Sequence, residues 1–198
     1  MSNHSPASTG RELAQIAVFA GIIAVLGLIP AIVPVGSAVP ITAQSLGIML
    51  AGAILGPRRG GLAVLVFLAL VALGLPLLAG GRGGLGVFAS PTVGYLVGFP
   101  IAAVVIGAMT QAVGRPYRLV LGIGINILGG VLLLNLLGVI GLVLRADLGV
   151  GAALVAALPF VPGDITKAIL CALVARGVHA AYPGLLPARR RERADARV

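Results

Sequence analysis

Two ionisable residues of opposite sign, Asp164 and Lys167, lie inside an apolar stretch of the chain, in the segment PGDITKA. Residues three positions apart on a helix project to the same side, about one turn apart. Buried charges are costly unless they are paired and hydrogen-bonded. We interpret the pair as part of a binding site for a polar ligand. The alternative is an ion pair that only fixes helix packing.

Two prolines, Pro159 and Pro162, come just before this pair. Each removes a backbone donor and frees a carbonyl one turn earlier. Broken helices occur within a bilayer where neighbouring protein or a watery cavity satisfies the freed groups. The prolines therefore predict a helix start or a kink beside a pocket, close to Asp164.

A glycine-rich segment, GLPLLAGGRGGLGVFASP, surrounds Arg82. A flexible loop of this kind can fold over a cavity as a lid, and its guanidinium can hydrogen-bond an anionic or carbonyl-bearing solute. The alternative is an ordinary exposed arginine. No GxxxxGK[ST] motif occurs in the chain, so we do not expect it to hydrolyse ATP by itself.

Catalysis has little support in the sequence. No second carboxylate accompanies Asp164, and neither a metal-ligand set nor a nucleophile–base pair is visible. We predict a transport protein that has no catalytic residues, metal or cofactor of its own. Asn126 and Asn135 are nine residues apart, on opposite faces of a regular helix, and are interpreted as interhelical hydrogen-bond partners.

The composition indicates the environment in which these residues work. Of 198 residues, 59% are hydrophobic and 10% are charged, with a mean hydropathy of +1.14. Soluble domains carry about 25% charged residues. The sequence predicts an all-α membrane protein with a polar segment (1–12), a transmembrane domain (13–176) and a basic tail (177–198). Six apolar runs are visible: Leu13–Pro30, Ile41–Leu55, Leu62–Leu75, Val93–Val113, Leu119–Leu144 and Val150–Ala175.

Charge predicts the orientation. If alternate gaps face opposite sides of a bilayer, one side receives six arginines (Arg11, Arg58, Arg59, Arg115, Arg118 and Arg176) and the five of the tail. The other side receives Arg82 and Arg145. Because the arginine-rich side is normally cytoplasmic, six spans with both termini in the cytoplasm follow. The net charge of +9 lies in the gaps between apolar runs, so the expected partner is a lipid bilayer and not a nucleic acid.

Four segments, taken together, resemble the BioY family, the biotin-binding S components of energy-coupling factor (ECF) transporters: PITAQSLGIMLAGAILGPRRG, GLPLLAGGRGG, ASPTVGY and PFVPGDITKA. The resemblance extends from Ile16 to about Ala175. It implies an ECF S-component-like fold of six helices, a multi-pass location in a bacterial cell membrane, and a function as the high-affinity biotin-binding subunit for vitamin uptake. Transport would be energised by a transmembrane coupling subunit and cytoplasmic ATPase subunits.

The resemblance also implies roles for individual residues. Asp164 and Lys167 would contact the bound vitamin, the glycine-rich loop would close over it, and Gln44 and Tyr95 would line the pocket. Arg82 stands where the family can carry an asparagine, and Gly141 where an aromatic is common. A ring-stacking wall would then come from Phe88, Tyr95 or aliphatic residues. The small residues Ala17, Ala20 and Ala24 of the first helix would contact the coupling subunit.

Three alternatives remain open from the sequence. The same architecture can bind another small vitamin. The chain can work as a solitary proton-coupled carrier in which Asp164 titrates. It can also be an intramembrane enzyme that uses Asp164 as an acid or base.

Overall fold

A computed structural model describes residues 6–30 and 42–186, and these ranges are almost entirely helical. The long helices are α1 (Pro6–Leu28), α2 (Gln44–Ala72), α3 (Val93–Val113), α4 (Leu119–Asn126), α5 (Leu134–Arg145), α6 (Val150–Ala157) and α7 (Phe160–Ala181). A π-helical segment, Ile127–Leu133, joins α4 to α5 without a break, and short 3-10 turns cover Leu85–Ala89 and Pro183–Leu185. The all-helical prediction is confirmed for the described ranges, whereas residues 1–5 and most of the predicted basic tail lie outside them.

Helix α2 reverses direction at Gly56. A straight helix over its length would measure about 43 Å, and the short segment from Ala72 to Leu77 can span at most about 18 Å. Yet Gln44 at its start donates from Nε2 to the Leu77 carbonyl, 3.0 Å away. Gly56 has φ 81° and ψ −178°, a conformation that glycine adopts without strain. Pro57 then begins the second arm, where its missing N–H is not needed.

Each of the six predicted apolar runs therefore contains a helical segment, because the two arms of α2 (residues 44–55 and 57–72) correspond to the second and third runs. By length and composition, four helical stretches of the described chain can cross a membrane. A fifth is the pair α6 and α7, which are bent by 49° to each other. The protein is thus a multi-pass membrane protein.

The ends of several helices lie near where they were predicted, but two boundaries differ. Helix α1 begins at Pro6, ahead of the predicted start at Leu13, and α7 continues to Ala181. The predicted helix start at the two prolines is confirmed, because the chain bends at Leu158–Pro159 and Pro162 lies in the first turn of α7. A proline is tolerated there because the first N–H groups of a helix have no intrahelical partner.

Glycines bring the helices close together. A Cβ on Gly52 would lie 2.5 Å from the Ala103 carbonyl on α3, and one on Gly60 would lie 2.5 Å from the Ala51 carbonyl on the opposite arm of α2. Small residues of this kind allow the close backbone packing that drives helix association in lipid. The outward surface is apolar, as a lipid-facing surface requires: Val120 is 81% exposed and Leu144 72%.

Three of the arginines assigned to one side of the membrane, Arg59, Arg115 and Arg176, lie at one end of the bundle. Arg59, beside the turn of α2, donates from Nη1 to Gln15 of α1, 2.9 Å away. Arg115 and Arg176 line one cavity together with His179. His179 in turn donates from Nε2 to Ala53 of the first arm of α2, 2.9 Å away. Asp164 lies about 22 Å along α7 from His179, toward the opposite end.

Candidate functional site

The predicted ion pair forms at the start of α7. Lys167 Nζ lies 2.9 Å from Asp164 Oδ1, as the spacing of three residues on one helix predicts. Asp164 is buried, with 5% of its surface exposed. The bend between α6 and α7 places it in the first turn after the break, beside a cavity.

Two further helices deliver hydrogen-bond partners to the same carboxylate. Ser45, in the first turn of α2, donates from Oγ to Asp164 Oδ1 (3.2 Å) and accepts from Lys167 Nζ (3.0 Å). Asn135, in the first turn of α5, donates from Nδ2 to Asp164 Oδ2 (3.2 Å). Three helices therefore meet at one carboxylate. Because these partners come from distant parts of the chain, their hydrogen bonds to Asp164 fix the packing of the three helices. Asp164 also lines the cavity.

An aromatic wall stands beside this network. Tyr95 donates from Oη to Asn135 Oδ1, 3.3 Å away. Its ring lies 6.0 Å from that of Phe160, at an interplanar angle of 45°. Tyr95 was expected to line the pocket and does so. Phe88, the other predicted wall residue, does not line the cavity and packs against the hydrophobic core.

The glycine-rich loop covers the cavity. Leu78 and Arg82 pair in both directions, with N–H···O distances of 3.0 and 3.2 Å. Between them, Gly80 and Gly81 have φ of 76° and 70°, values that favour glycine. Arg82 donates from Nε to the Ala79 carbonyl (3.2 Å), and Gln44 ties Leu77 to the start of α2. The loop is thus anchored at both ends with the Arg82 side chain beside the cavity.

The cavity has a volume of about 70 Å³ and a mixed lining. All five predicted binding residues, Asp164, Lys167, Arg82, Tyr95 and Gln44, lie on its surface. The apolar part of the lining is supplied by Leu78, Ala79, Leu96, Phe99, Leu134 and Phe160. The polar part of the lining also includes Thr42, Ser45 and Thr92, so the cavity offers both polar and apolar groups to a ligand.

Three residues of this site were not predicted as part of it: Ser45, Asn135 and Phe160. Asn135 was expected to make an interhelical hydrogen bond, which it does, but its partner is Asp164 itself. Ser45 follows Gln44 directly, so the adjacent polar pair in an apolar run was a usable signal. Phe160 had none, since a single phenylalanine in an apolar helix is most often a core residue.

The small-residue face of α1 is only partly available to another protein. Ala17 is exposed, and Ala24 packs partly against the core. Ala20 is 2% exposed and belongs to the core of this chain, so it does not lie on the outward face in this structure. A helix presents only one face outward, and on α1 that face carries Ala17 and Gly21. Among the described residues, no group of His, Cys, Asp or Glu side chains is arranged to hold a metal ion.

Comparison with known proteins agrees with this architecture. The model of the BioY family matches residues 1–184. The biotin transporter BioY of Rhodobacter capsulatus is 47% identical over 189 residues, covering 90% of this chain and 98% of the relative. BioY of Rhizobium etli is 47% identical over 184 residues, with the same coverage. Both relatives are named as transporters, as predicted for this chain.

A solved structure also matches. It is the S-component for biotin from an ECF-type ABC transporter, with a TM-score of 0.83 and 31% sequence identity, covering 89% of this chain and 95% of that chain. The fold predicted from the resemblance is therefore confirmed. On the family match and the extent of these similarities, the chain belongs to the BioY family.

Proposed function

We propose that the protein is the biotin-binding, substrate-specificity subunit of a vitamin uptake transporter in the cell membrane. The observation that carries the proposal is the buried Asp164, held by three side chains at the wall of a cavity in a membrane protein of the BioY family. A charge buried in a membrane protein needs a functional or structural reason, and a cavity beside it favours a ligand. The relatives and the matching structure are named for biotin.

Hydrogen-bond capacity indicates which end of biotin meets α7. A carboxylate accepts about four hydrogen bonds and an ammonium donates three. Asp164 accepts two at Oδ1 and one at Oδ2, and Lys167 donates two. One acceptor position on Asp164 Oδ2 and one N–H of Lys167 therefore remain. The ureido edge of biotin offers the matching pair, an N–H donor for Asp164 Oδ2 and a carbonyl acceptor for Lys167.

The carboxylate end of biotin then reaches the loop. Arg82 uses its Nε for the Ala79 carbonyl, which leaves its two Nη groups for a bidentate contact. The apolar residues of the lining suit the thioether ring and the aliphatic chain. In this orientation Gln44 holds the loop through Leu77 and acts on the ligand indirectly.

Binding requires the loop to move. One water occupies about 10–15 Å³ of such a cavity, so the 70 Å³ here holds only a few. A bicyclic vitamin is larger, and the segment best able to yield is the loop around Arg82. Its glycines permit the backbone change, as the lid hypothesis from the sequence expected.

The topology supports uptake from outside. We infer six spans with both termini in the cytoplasm, because Arg59, Arg115 and Arg176 gather at one end of the bundle and arginine-rich ends are normally cytoplasmic. The biotin site then lies in the outer half. The two arms of α2 are short for a bilayer of about 30 Å, which tilting or local thinning of the bilayer accommodates.

Energy for release must come from partner subunits. The chain has no phosphate-binding GxxxxGK[ST] motif, so we propose that a transmembrane coupling subunit and cytoplasmic ATPase subunits drive transport. The outward face of α1, with Ala17 and Gly21, is the proposed contact, since small residues let another helix approach closely. Ala24 lies at its edge.

Equilibrium binding of labelled biotin to the purified, detergent-solubilised chain tests the proposal. We expect saturable one-site binding that unlabelled biotin displaces and that other water-soluble vitamins, offered in the same panel, do not. Displacement by a different vitamin would assign the site to that vitamin. No binding of any vitamin would contradict the proposal. Uptake that persists when the ATPase subunits are inactivated would favour a solitary carrier.

A further inference from the structure

Tyr95 lies in a slot on the surface of α5 that exists because residue 138 is glycine. A Cβ at Gly138 would overlap the ring carbons Cζ, Cε1 and Cε2 of Tyr95. One turn further along, a Cβ at Gly141 would lie 2.5 Å from the backbone nitrogen of Gly94. Helices α3 and α5 therefore meet backbone to backbone next to Tyr95, and its ring rests directly on the α5 main chain. No aromatic side chain fits at position 141 in this packing.

The opposite side of the site confines the same ring. Phe160 lies with its centroid 6.0 Å from that of Tyr95, tilted by 45°. Such pairs are favourable beyond the area that they bury. The ring contacts both Gly138 and Phe160, and its hydroxyl donates to Asn135 Oδ1, 3.3 Å away.

That hydrogen bond is one of three that hold the Asn135 amide in place. An amide offers one carbonyl acceptor and one NH₂ donor group. With Tyr95 donating to Oδ1, the Nδ2 group is directed to the Val131 carbonyl (2.9 Å) and to Asp164 Oδ2 (3.2 Å). The opposite orientation would place two oxygens against each other. Gly138, Tyr95 and Asn135 thus form a sequence of contacts that ends on the carboxylate.

We propose that Gly138 is a positioning residue for the ligand. By leaving room for the Tyr95 ring, it lets the Tyr95 hydroxyl help to hold the Asn135 amide, which donates to the Asp164 oxygen that has an acceptor position to spare. The inference rests on the proposed function, in which that oxygen accepts the ureido N–H of biotin.

A glycine-to-alanine substitution in the full chain tests the inference. Because the added methyl must displace the Tyr95 ring, we expect Gly138→Ala to weaken biotin binding roughly 2- to 10-fold, the range for losing one hydrogen bond. Gly124→Ala is the matched control, since Gly124 lies in α4 and a Cβ there meets nothing within 4 Å. Affinity is measured by isothermal titration calorimetry, and the thermal midpoint of the ligand-free protein is recorded for each variant.

A double-mutant cycle separates positioning from a general packing effect. Tyr95→Ala removes the ring that the new methyl would strike, so adding Gly138→Ala to it should cause no further loss of affinity beyond about 2-fold. Should Gly138→Ala alone fail to fold, the double variant should fold again, because its methyl has room. The inference would be overturned if the double variant also failed to fold, or if its loss of biotin affinity were the product of the losses in the two single variants.

Two outcomes of the comparison with the wild type are equally decisive. If the wild type binds biotin and Gly138→Ala binds it with the same affinity, the inference is overturned and the proposed function stays intact. Wild-type protein that binds no biotin contradicts the proposed function itself, and the inference with it.

Discussion

At one end of α7, Asp164 accepts hydrogen bonds from three side chains that come from three helices. At the other end, about 22 Å away, His179 donates one hydrogen bond to Ala53, and its Nδ1 has no partner among the described residues. Both residues are 5% exposed. Two equally buried residues therefore differ greatly in how many hydrogen bonds their polar atoms make.

Neighbours of the two residues repeat the contrast. Near His179, the hydroxyls of Thr110 and Tyr117 are buried and make no hydrogen bond within the described part of the chain. Burial raises the pKa of Tyr117, so its hydroxyl stays protonated at neutral pH and offers a donor. Both residues line a cavity of about 10 Å³, roughly the space of one water.

The difference separates a polar network held together by side chains from a region whose buried polar groups rely on solvent. In the Asp164 network every polar side chain has a protein partner, and such networks hold their geometry well. Unsatisfied buried groups are rare and usually indicate an ordered water. We therefore expect substitutions near Asp164 to change binding and the equivalent substitutions at the other end to leave it unchanged.

The largest effect is expected for Asp164→Asn. It leaves Lys167 without its carboxylate and removes the acceptor for biotin, so affinity should fall at least about 30-fold, the lower range for breaking a buried charged pair. Asp147→Asn is the control, because Asp147 is exposed and asparagine tolerates its positive φ of 51°. Equilibrium binding of labelled biotin provides the measurement. Equal affinities of the two variants would remove the basis for the site.

Two buried hydroxyls provide the next comparison. Ser45→Ala deletes the group that bridges Lys167 and Asp164, and we expect about 10-fold weaker binding, as for a hydrogen bond to a charged group. Thr110→Val removes a hydroxyl that is also buried but has no hydrogen-bond partner among the described residues, so biotin binding should not change. If Thr110→Val lowered the biotin affinity as much as Ser45→Ala does, the two ends of α7 would not differ in their effect on binding.

Arg82→Ala sharpens the comparison within the site. The guanidinium is partly exposed, so its contact with the ligand carboxylate should contribute less, and about 3- to 5-fold weaker binding is expected. For the methyl ester of biotin, which lacks the negative charge, the variant and the wild type should bind alike. Arg176→Ala at the opposite end is the control. If Arg82→Ala lowered the affinity for the ester as much as that for biotin, Arg82 would not be the residue that contacts the carboxylate of biotin.

The smallest effect concerns stability. Tyr95→Phe removes a hydroxyl that donates to Asn135 and should lower the thermal midpoint by about 2–4 °C, the shift for roughly 1 kcal/mol in a protein of this size. Tyr117→Phe removes a buried hydroxyl without a described partner and should leave the midpoint unchanged or raise it. Thermal unfolding in one detergent, without biotin, compares both variants. A lower midpoint for Tyr117→Phe would show that its hydroxyl has a strong partner.

Local patterns predicted the elements well. The six apolar runs correspond to helical segments, and the segment GPRRG divides the second from the third because Gly56 reverses the chain and Pro57 restarts the helix. The same patterns misplaced the start of α1, since the polar residues after Pro6 also continue a helix. They could not tell which face of α1 turns inward, and Ala20 proved to be part of the core.

The sequence by itself determined that the chain spans a membrane and that Asp164 and Lys167 pair. The membrane location follows from the composition, and the ion pair follows from a spacing of three residues on one helix. Neither depends on how the helices pack against each other. Only the tertiary structure decided that Ser45, 119 positions away, and Asn135, 29 positions away, share the carboxylate. Such contacts depend on how the helices pack, and packing is set by the whole bundle at once: the glycine contacts, the reversal at Gly56 and the bend before α7.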